Sequence, residues 1–295
     1  MKEAFRVKNF QQDAINLITA CHTVIENYMG MGLKLTLRQL YYQLVTQNLI
    51  INEEKSYAHL SKIVSEARLA GLLDWAAIED RTRMPTTPNE FENIKELVDA
   101  ALHSYRLPRW NEQPYYVELW VEKDALAGVL KPLANKYHVT LMVNRGYSSQ
   151  TAMYEASIRF LDKGGSKQKI LLYLGDFDPS GEDMVRDIED RLYMFGVDNL
   201  VVKKIALTMD QVNTYNPPPN PAKIKDPRAQ EFISKYGEYS WEVDSINPVE
   251  LQNIIKGEFE QLVDVSKLSK VLNKEKRDKS KLQKAVKEIM KGKKN

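Results

Sequence analysis

The sequence predicts an α/β protein in which a helical N-terminal module precedes a mostly parallel sheet. Three observations lead there. From Tyr115 onward, short apolar runs alternate with amphipathic stretches, the rhythm of βαβ units. Between residues 10 and 71, three helix-length apolar patterns follow one another with short breaks. Two of the strand-like runs, "VELWVEKDAL" and "ILLYLGDFDPSGED", end in carboxylates. That is the edge of an open α/β sheet where ligands bind.

Taken in order, "FQQDAINLITACHTVIENY" (10–28) reads as a first helix. "GMGLKLT" breaks it, and Thr36 is an N-cap for the second, "LRQLYYQLVTQNLI". "SYAHLSKIVSEARLAGLLDW" gives a third, starting near Ser56 and ending at Gly71. With "WAAIEDRTRMPTT" behind it, the group fits a helix-turn-helix with a wing, the third helix being the one that would meet DNA. Arg68 on that helix, and Arg81 and Arg83 in the wing, are candidate phosphate contacts. "MPTTPNEF" is a turn-rich joint, and "NIKELVDAALHSY" an amphipathic stretch beyond it.

The strands expected next are "YYVELWV", "VTLMV", "QKILLYLG" and "NLVVKKIAL". The helices between them are "ALAGVLKPLANKY", "SQTAMYEASIRFLDK" and "GEDMVRDIEDRLYMFG". Pro132 should kink the first of these or delay its start. "NPPPNP" reads as a stiff connector, "NPVELQNIIKGEFEQLVD" as a helix capped near Asn247, and the stretch after Ser266 as an amphipathic helix. From Lys267 to Asn295 there are twelve Lys and Arg against three Asp and Glu. That net +9 leaves −7 for the rest of a chain whose total is +2, a distribution suited to a polyanionic partner.

Composition excludes several classes. No run approaches the roughly 18 apolar residues of a membrane span, and no secretory leader is legible, so a cytoplasmic location is expected. One cysteine, Cys21, allows no internal disulfide. His22, His59, His103 and His138 are scattered without zinc spacing, and "DKGGSKQK" lacks the phosphate-loop pattern.

The acids are the chemical signal. Asp176 and Asp178, two apart, are expected on one face at the end of a strand, with Ser180 and Asp183 as the capping pair of the next helix. Glu122 ends an earlier strand, while Asp124 can serve as an N-cap. If those strands are neighbours, Glu122, Asp176 and Asp178 converge. A site of carboxylates alone suits a hard cation, most simply Mg²⁺, in the service of phosphate chemistry. On the second helix, Leu40, Tyr41 and Leu44 share an apolar stripe with Leu37. Tyr42 falls outside it, beside Arg38 one turn earlier, and is expected to be presented.

"VEKDAL", "NRGYSS" and "GDFDPSG", in that order, resemble the Toprim domain of the topoisomerase VI A subunit and its meiotic double-strand-break relatives. "RQLYY" at 38–42 resembles the R-x-x-Y-Y segment of that family's preceding winged-helix domain. The resemblance covers roughly Thr36 to Gly181. It implies a winged-helix domain (1–88) and a helical linker (89–112). A Toprim domain (113–215), its C-terminal extension (216–265) and a basic tail helix (266–295) would follow. It also implies that Tyr42, beside Arg38, attacks a DNA phosphodiester and becomes linked to the 5′ phosphate. Glu122, Asp176 and Asp178 would hold Mg²⁺, or Mn²⁺, the protein would act on double-stranded DNA as a homodimer, and its place would be the nucleoid. The sequence carries no ATPase module, so any strand passage would need a separate B-type ATPase subunit. Two other readings stand beside this one: a Toprim nuclease that activates water and leaves Tyr42 idle, and a catalytically silent DNA-binding protein.

Overall fold

A computed structural model describes residues 2–79, 88–221 and 228–292. The first three helices are α1 (Gln12–Gly30), α2 (Leu37–Thr46) and α3 (Glu54–Leu69). They bury Ile18, Cys21, Val24, Leu40, Leu44, Leu60 and Ile63 in one shared core. Thr36 starts α2 through a full capping box: its side chain accepts from the Gln39 N–H, and Gln39 accepts from the Thr36 N–H at 2.8 Å. Of the expected wing, Leu35 and Ile78 form a parallel bridge, and Arg81 and Arg83 lie outside the described residues.

After α4 (Ile94–Ser104), four strands form an all-parallel sheet: β1 (Tyr115–Val121), β2 (Thr140–Val143), β3 (Gln168–Leu174) and β4 (Leu200–Ala206), in the order β2-β1-β3-β4. The crossovers are α5 (Ala127–Tyr137), α6 (Gln150–Gly164) and α7 (Pro179–Met194). Helices on both faces explain why the strands read as apolar runs. Alternate residues of β1 serve two cores, Val117, Leu119 and Val121 on one face and Tyr116 and Trp120 on the other. Pro132 lies inside α5, whose start is delayed to Ala127 by a 3-10 turn over Asp124–Leu126.

Two cap assignments are corrected. Asp124 makes no side-chain cap and pairs with Arg145 at 3.5 Å, because the chain turns through the 3-10 segment before the helix. The N-cap of α7 is Asp178, whose Oδ1 accepts from the Gly181 N–H at 2.6 Å, in place of Ser180. Pro179 at the first helical position fixes the start two residues earlier than the Ser-x-x-Asp pattern suggests.

Beyond α8 (Met209–Tyr215), β5 (Asn220–Pro221) pairs with β6 (Tyr239–Ser240), so the proline connector ends in a short ladder; α9 (Ala229–Tyr236) precedes β6. Trp241 then pairs with Phe177, each N–H donating to the other's carbonyl at 2.8 and 3.0 Å. Helix α10 (Pro248–Leu262), with Asn247 capping it as expected, packs on α5 and β4. Helix α11 (Val265–Gly292) runs against α4. Glu275 of α11 is buried there, accepting from the Leu107 N–H at 3.0 Å.

Glu118 is a fully buried charge in the middle of β1. Arg159 of α6 grips it with two bonds of 3.0 and 3.1 Å, and the Tyr116 hydroxyl and Trp120 indole each donate at 2.8 Å. All its acceptor capacity is used within the fold. Arg159→Ala is expected to destabilise the protein by about 3 kcal/mol in urea unfolding, because it strands that carboxylate. A loss below about 1 kcal/mol would show that the indole and phenol suffice.

Candidate functional site

The loop after β3 is built around Asp176, Phe177 and Asp178. The Phe177 side chain packs among Phe232, Tyr236 and Trp241, while its backbone pairs with Trp241. This pairing draws the following residues, Glu242 and Asp244, onto the acidic edge, where the Val243 N–H donates to Asp176 Oδ1 at 2.9 Å. On the other side, Glu122 Oε2 accepts from the Asp176 N–H at 3.0 Å. The glycine of "GDFDPSG" is required by contact: a Cβ at Gly181 would collide with the Asp176 carbonyl oxygen. Lys204 reaches that same oxygen at 2.7 Å and Glu182 at 2.6 Å.

Lys123 is the centre of the charge arrangement. Its ammonium lies 3.0 Å from Asp176 Oδ2, 3.0 Å from Glu242 Oε2 and 3.1 Å from Asp244 Oδ1. From α2, Arg38 pairs with Glu242 through Nη2, and its Nε sits 2.9 Å from Asp244 Oδ2. The latter two atoms are misaligned for a hydrogen bond, so that contact is coulombic. Tyr42 completes the set, donating to Glu242 Oε2 at 2.5 Å with Arg38 Nη2 3.4 Å from its oxygen.

The expectation that Tyr42 is presented is corrected: only 4% of it is exposed. The helical wheel places it correctly beside Arg38 and away from the stripe around Leu37. The 242–245 segment, from the far end of the chain, then packs over that second face. Tyr41 is core, as expected, with its hydroxyl tied to Asn52 at 3.1 Å.

Burial and mutual repulsion set the protonation states. Asp176 is raised to about 7: burial is the largest cause, Lys123 opposes it, and Glu122 and Asp244 add to it. Burial acts on Glu242 in the same sense, but Lys123 and the Arg38 and Tyr42 hydrogen bonds outweigh it and hold Glu242 at about 2. The Tyr42 phenol is raised above its ordinary value by burial and then by Glu242, with Arg38 offsetting part. Burial works against the charged form of Lys123, yet Asp244, Asp176 and Glu242 hold it above the ordinary lysine value. Behind the site, the Tyr173 hydroxyl is buried without a hydrogen-bond partner among the described residues. It is raised by burial and then by the charges of Glu122, Asp176 and Asp178.

Among the described residues, no three acid, histidine or cysteine side chains are arranged to hold a metal ion as they stand. The donor set nevertheless fits a hard cation. It is all carboxylate, and one of its members, Asp176, already shares the Lys123 ammonium with Glu242 and Asp244, so that a cation sits beside the set. Glu122, Asp176 and Asp178 lie at one sheet edge because β1 and β3 are neighbours.

Sequence reasoning missed Lys123, Glu242 and Asp244. A signal was present: "WEVDSINP" repeats the acid-x-acid spacing of "GDFDPSG", also just ahead of a proline-started helix. Arg68 sits apart from the acids, donating to the Trp75 carbonyl at 2.8 Å with its guanidinium 4.6 Å from the Trp75 ring centroid.

No protein-family model matches the chain, and no curated protein matches it at a significant level. No helix among the described residues is long and apolar enough to cross a membrane.

Lys123→Ala is expected to destabilise the protein by about 3 kcal/mol, because three partly buried carboxylates lose their common counter-charge. Millimolar Mg²⁺ should then raise the melting temperature of the variant more than that of the native chain. Equal shifts in both would contradict that role of the ammonium as the cation beside the set.

Proposed function

We propose that this chain is a DNA-cleaving protein of the topoisomerase VI A-subunit kind, with Tyr42 as its nucleophile and Glu122, Asp176 and Asp178 as the residues that hold Mg²⁺. One observation carries this reading. A tyrosine and an arginine on a helix near the N-terminus share one hydrogen-bonded charge network with a strand-edge acid and with an acid 200 positions further on. Packing alone gives no reason to place Arg38, Lys123, Asp176, Glu242 and Asp244 around a phenol. Opposed charges around a nucleophile suit phosphoryl transfer. The ordered motifs of the Toprim resemblance and the all-parallel sheet support the same reading.

A bound Mg²⁺ would neutralise charge developing on the phosphate oxygens. The rest falls to the chain. In the described state burial, and then Glu242, whose carboxylate accepts the phenol's hydrogen bond, keep Tyr42 protonated. Movement of Glu242 away from the phenol would leave Arg38 as its nearest charge, which favours the phenolate. The phenol proton passes to solvent, the Tyr42 oxygen forms a bond to phosphorus, the bond from phosphorus to the 3′ oxygen breaks, and that 3′ oxygen takes a proton from solvent to become a hydroxyl. The 5′ phosphate stays on the tyrosine. One Tyr42 per chain cuts one strand, so a double-strand cut of duplex DNA needs a homodimer, and coupling to ATP needs a separate ATPase subunit. The basic α11 and a nucleoid location accord with a DNA substrate.

Burial of Tyr42 favours a second reading, a metal-dependent nuclease that activates water at the same acids. Supercoiled plasmid with Mg²⁺ or Mn²⁺, denatured and protease-treated, separates the two. The transesterification reading expects cut DNA with protein on the 5′ ends, lost by at least about 100-fold in both Tyr42→Phe and Asp176→Ala. Free ends, lost only in Asp176→Ala, would establish the nuclease; DNA binding without cutting in any metal would make it a silent binding protein.

A further inference from the structure

Two buried polar side chains beside Glu122 have no hydrogen-bond partner among the described residues. They are the Tyr173 hydroxyl and both ends of the Asn144 amide. Tyr173 is fully buried and Asn144 nearly so. A buried polar group left unpaired costs stability, so each such group asks for a reason.

Strand register shows where they lie. Trp120 of β1 pairs with Met142 of β2 and with Tyr173 of β3, and all three side chains pack on the α6 and α7 side of the sheet. Two residues further on, alternation returns Glu122, Asn144 and Gly175 to that same face. The ladder reaches this row: the Glu122 N–H donates to the Leu174 carbonyl at 2.8 Å, and the Asn144 N–H to the Val121 carbonyl at 2.9 Å. Glu122 therefore stands between Asn144 on one side and Gly175 on the other. Gly175 has no side chain, and Tyr173 fills its place. A Cβ there would lie 2.7 Å from the Tyr173 hydroxyl oxygen. Neighbouring strands are about 4.8 Å apart, so the hydroxyl and the amide each sit one strand away from Glu122.

Both groups can donate, Tyr173 through its O–H and Asn144 through its amide N–H. A carboxylate offers about four acceptor sites. Glu122 gives one, on Oε2, to the Asp176 N–H at 3.0 Å. The others suffice for a cation and two donors. Carboxylates that bind metals are held by hydrogen bonds of this kind.

We propose that Tyr173 and Asn144 are positioning residues for Glu122: they donate to its carboxylate when a divalent cation is bound, and fix the orientation in which Glu122 meets that cation. The proposal rests on the reading of Glu122, Asp176 and Asp178 as cation ligands and adds the residues that set their affinity. In the metal-free chain the Glu122 carboxylate serves the Asp176 backbone and both donors go unpaired. Cation binding pairs them, so their lost hydrogen bonds are regained only in the loaded state.

The test is Mn²⁺ binding to the full chain, followed by the electron paramagnetic resonance signal of the free ion, with melting temperatures measured in EDTA. Asp176→Ala is expected to abolish the tight site. Tyr173→Phe and Asn144→Ala should each weaken Mn²⁺ binding about 10-fold or more, the usual effect of removing a partner of a metal ligand. Tyr173→Phe should melt in EDTA at or above the native temperature, because the metal-free state loses no bond with that oxygen. Native affinity in either variant, or a lower melting temperature of Tyr173→Phe in EDTA, would overturn the proposal; with binding still abolished by Asp176→Ala, the metal reading would stand. Mn²⁺ binding unchanged by Asp176→Ala, or no binding at all, would overturn both.

Discussion

The ammonium of Lys123 is the interaction on which the site depends. Three carboxylates lie about one hydrogen-bond length from it, two from a segment more than a hundred residues further along the chain and one from the end of β3. Without a cation there, these acids would repel one another in a place where burial already disfavours charge. With it, the edge of the sheet becomes a surface against which α2 can dock through Arg38. The price of gathering acids is met by two cations placed between them, and the phenol of Tyr42 enters as a neutral donor to the same network.

That arrangement is positioned by backbone. Phe177 separates the two loop aspartates and pairs with Trp241, so one short ladder fixes both the Asp176–Asp178 loop and the arrival of Glu242 and Asp244. The close approach of Gly181 to the Asp176 carbonyl, and the cap from Asp178, lock the loop to the first turn of α7. A site held in this way sits on strand ends and helix starts, where side-chain placement is reproducible. It also joins the N-terminal helices to the sheet, so any change in the charge of the site is felt as a change in how those two parts hold together.

Much of this was legible in the sequence because it is local. Parallel strands buried on both faces must be apolar, and four such runs mark the four strands within a residue or two. Asp176 and Asp178 stand out because two carboxylates two residues apart repel one another at a strand end. Thr36 and Asn247 cap as their positions suggest. What was not legible depends on distant chain segments. Tyr42 lies off the apolar stripe of its own helix, yet a segment 200 residues away covers it. Glu242 and Asp244 reach the acids only because Trp241 pairs with Phe177, and no local pattern encodes a pairing partner. The cap of α7 was misplaced because Asp178 and Ser180, two apart, both suit an N-cap, and Pro179 decides the start.

The central claim is that Tyr42 and the strand-edge acids form one energetic unit through Glu242. A double-mutant cycle of Tyr42→Phe and Glu242→Gln, read as unfolding free energy in urea, tests it most directly. The account predicts a coupling of about 1 kcal/mol or more, as expected for side chains in one charged hydrogen-bond network. Additivity within about 0.3 kcal/mol would contradict it and would leave Tyr42 a core tyrosine that happens to lie near an acidic edge.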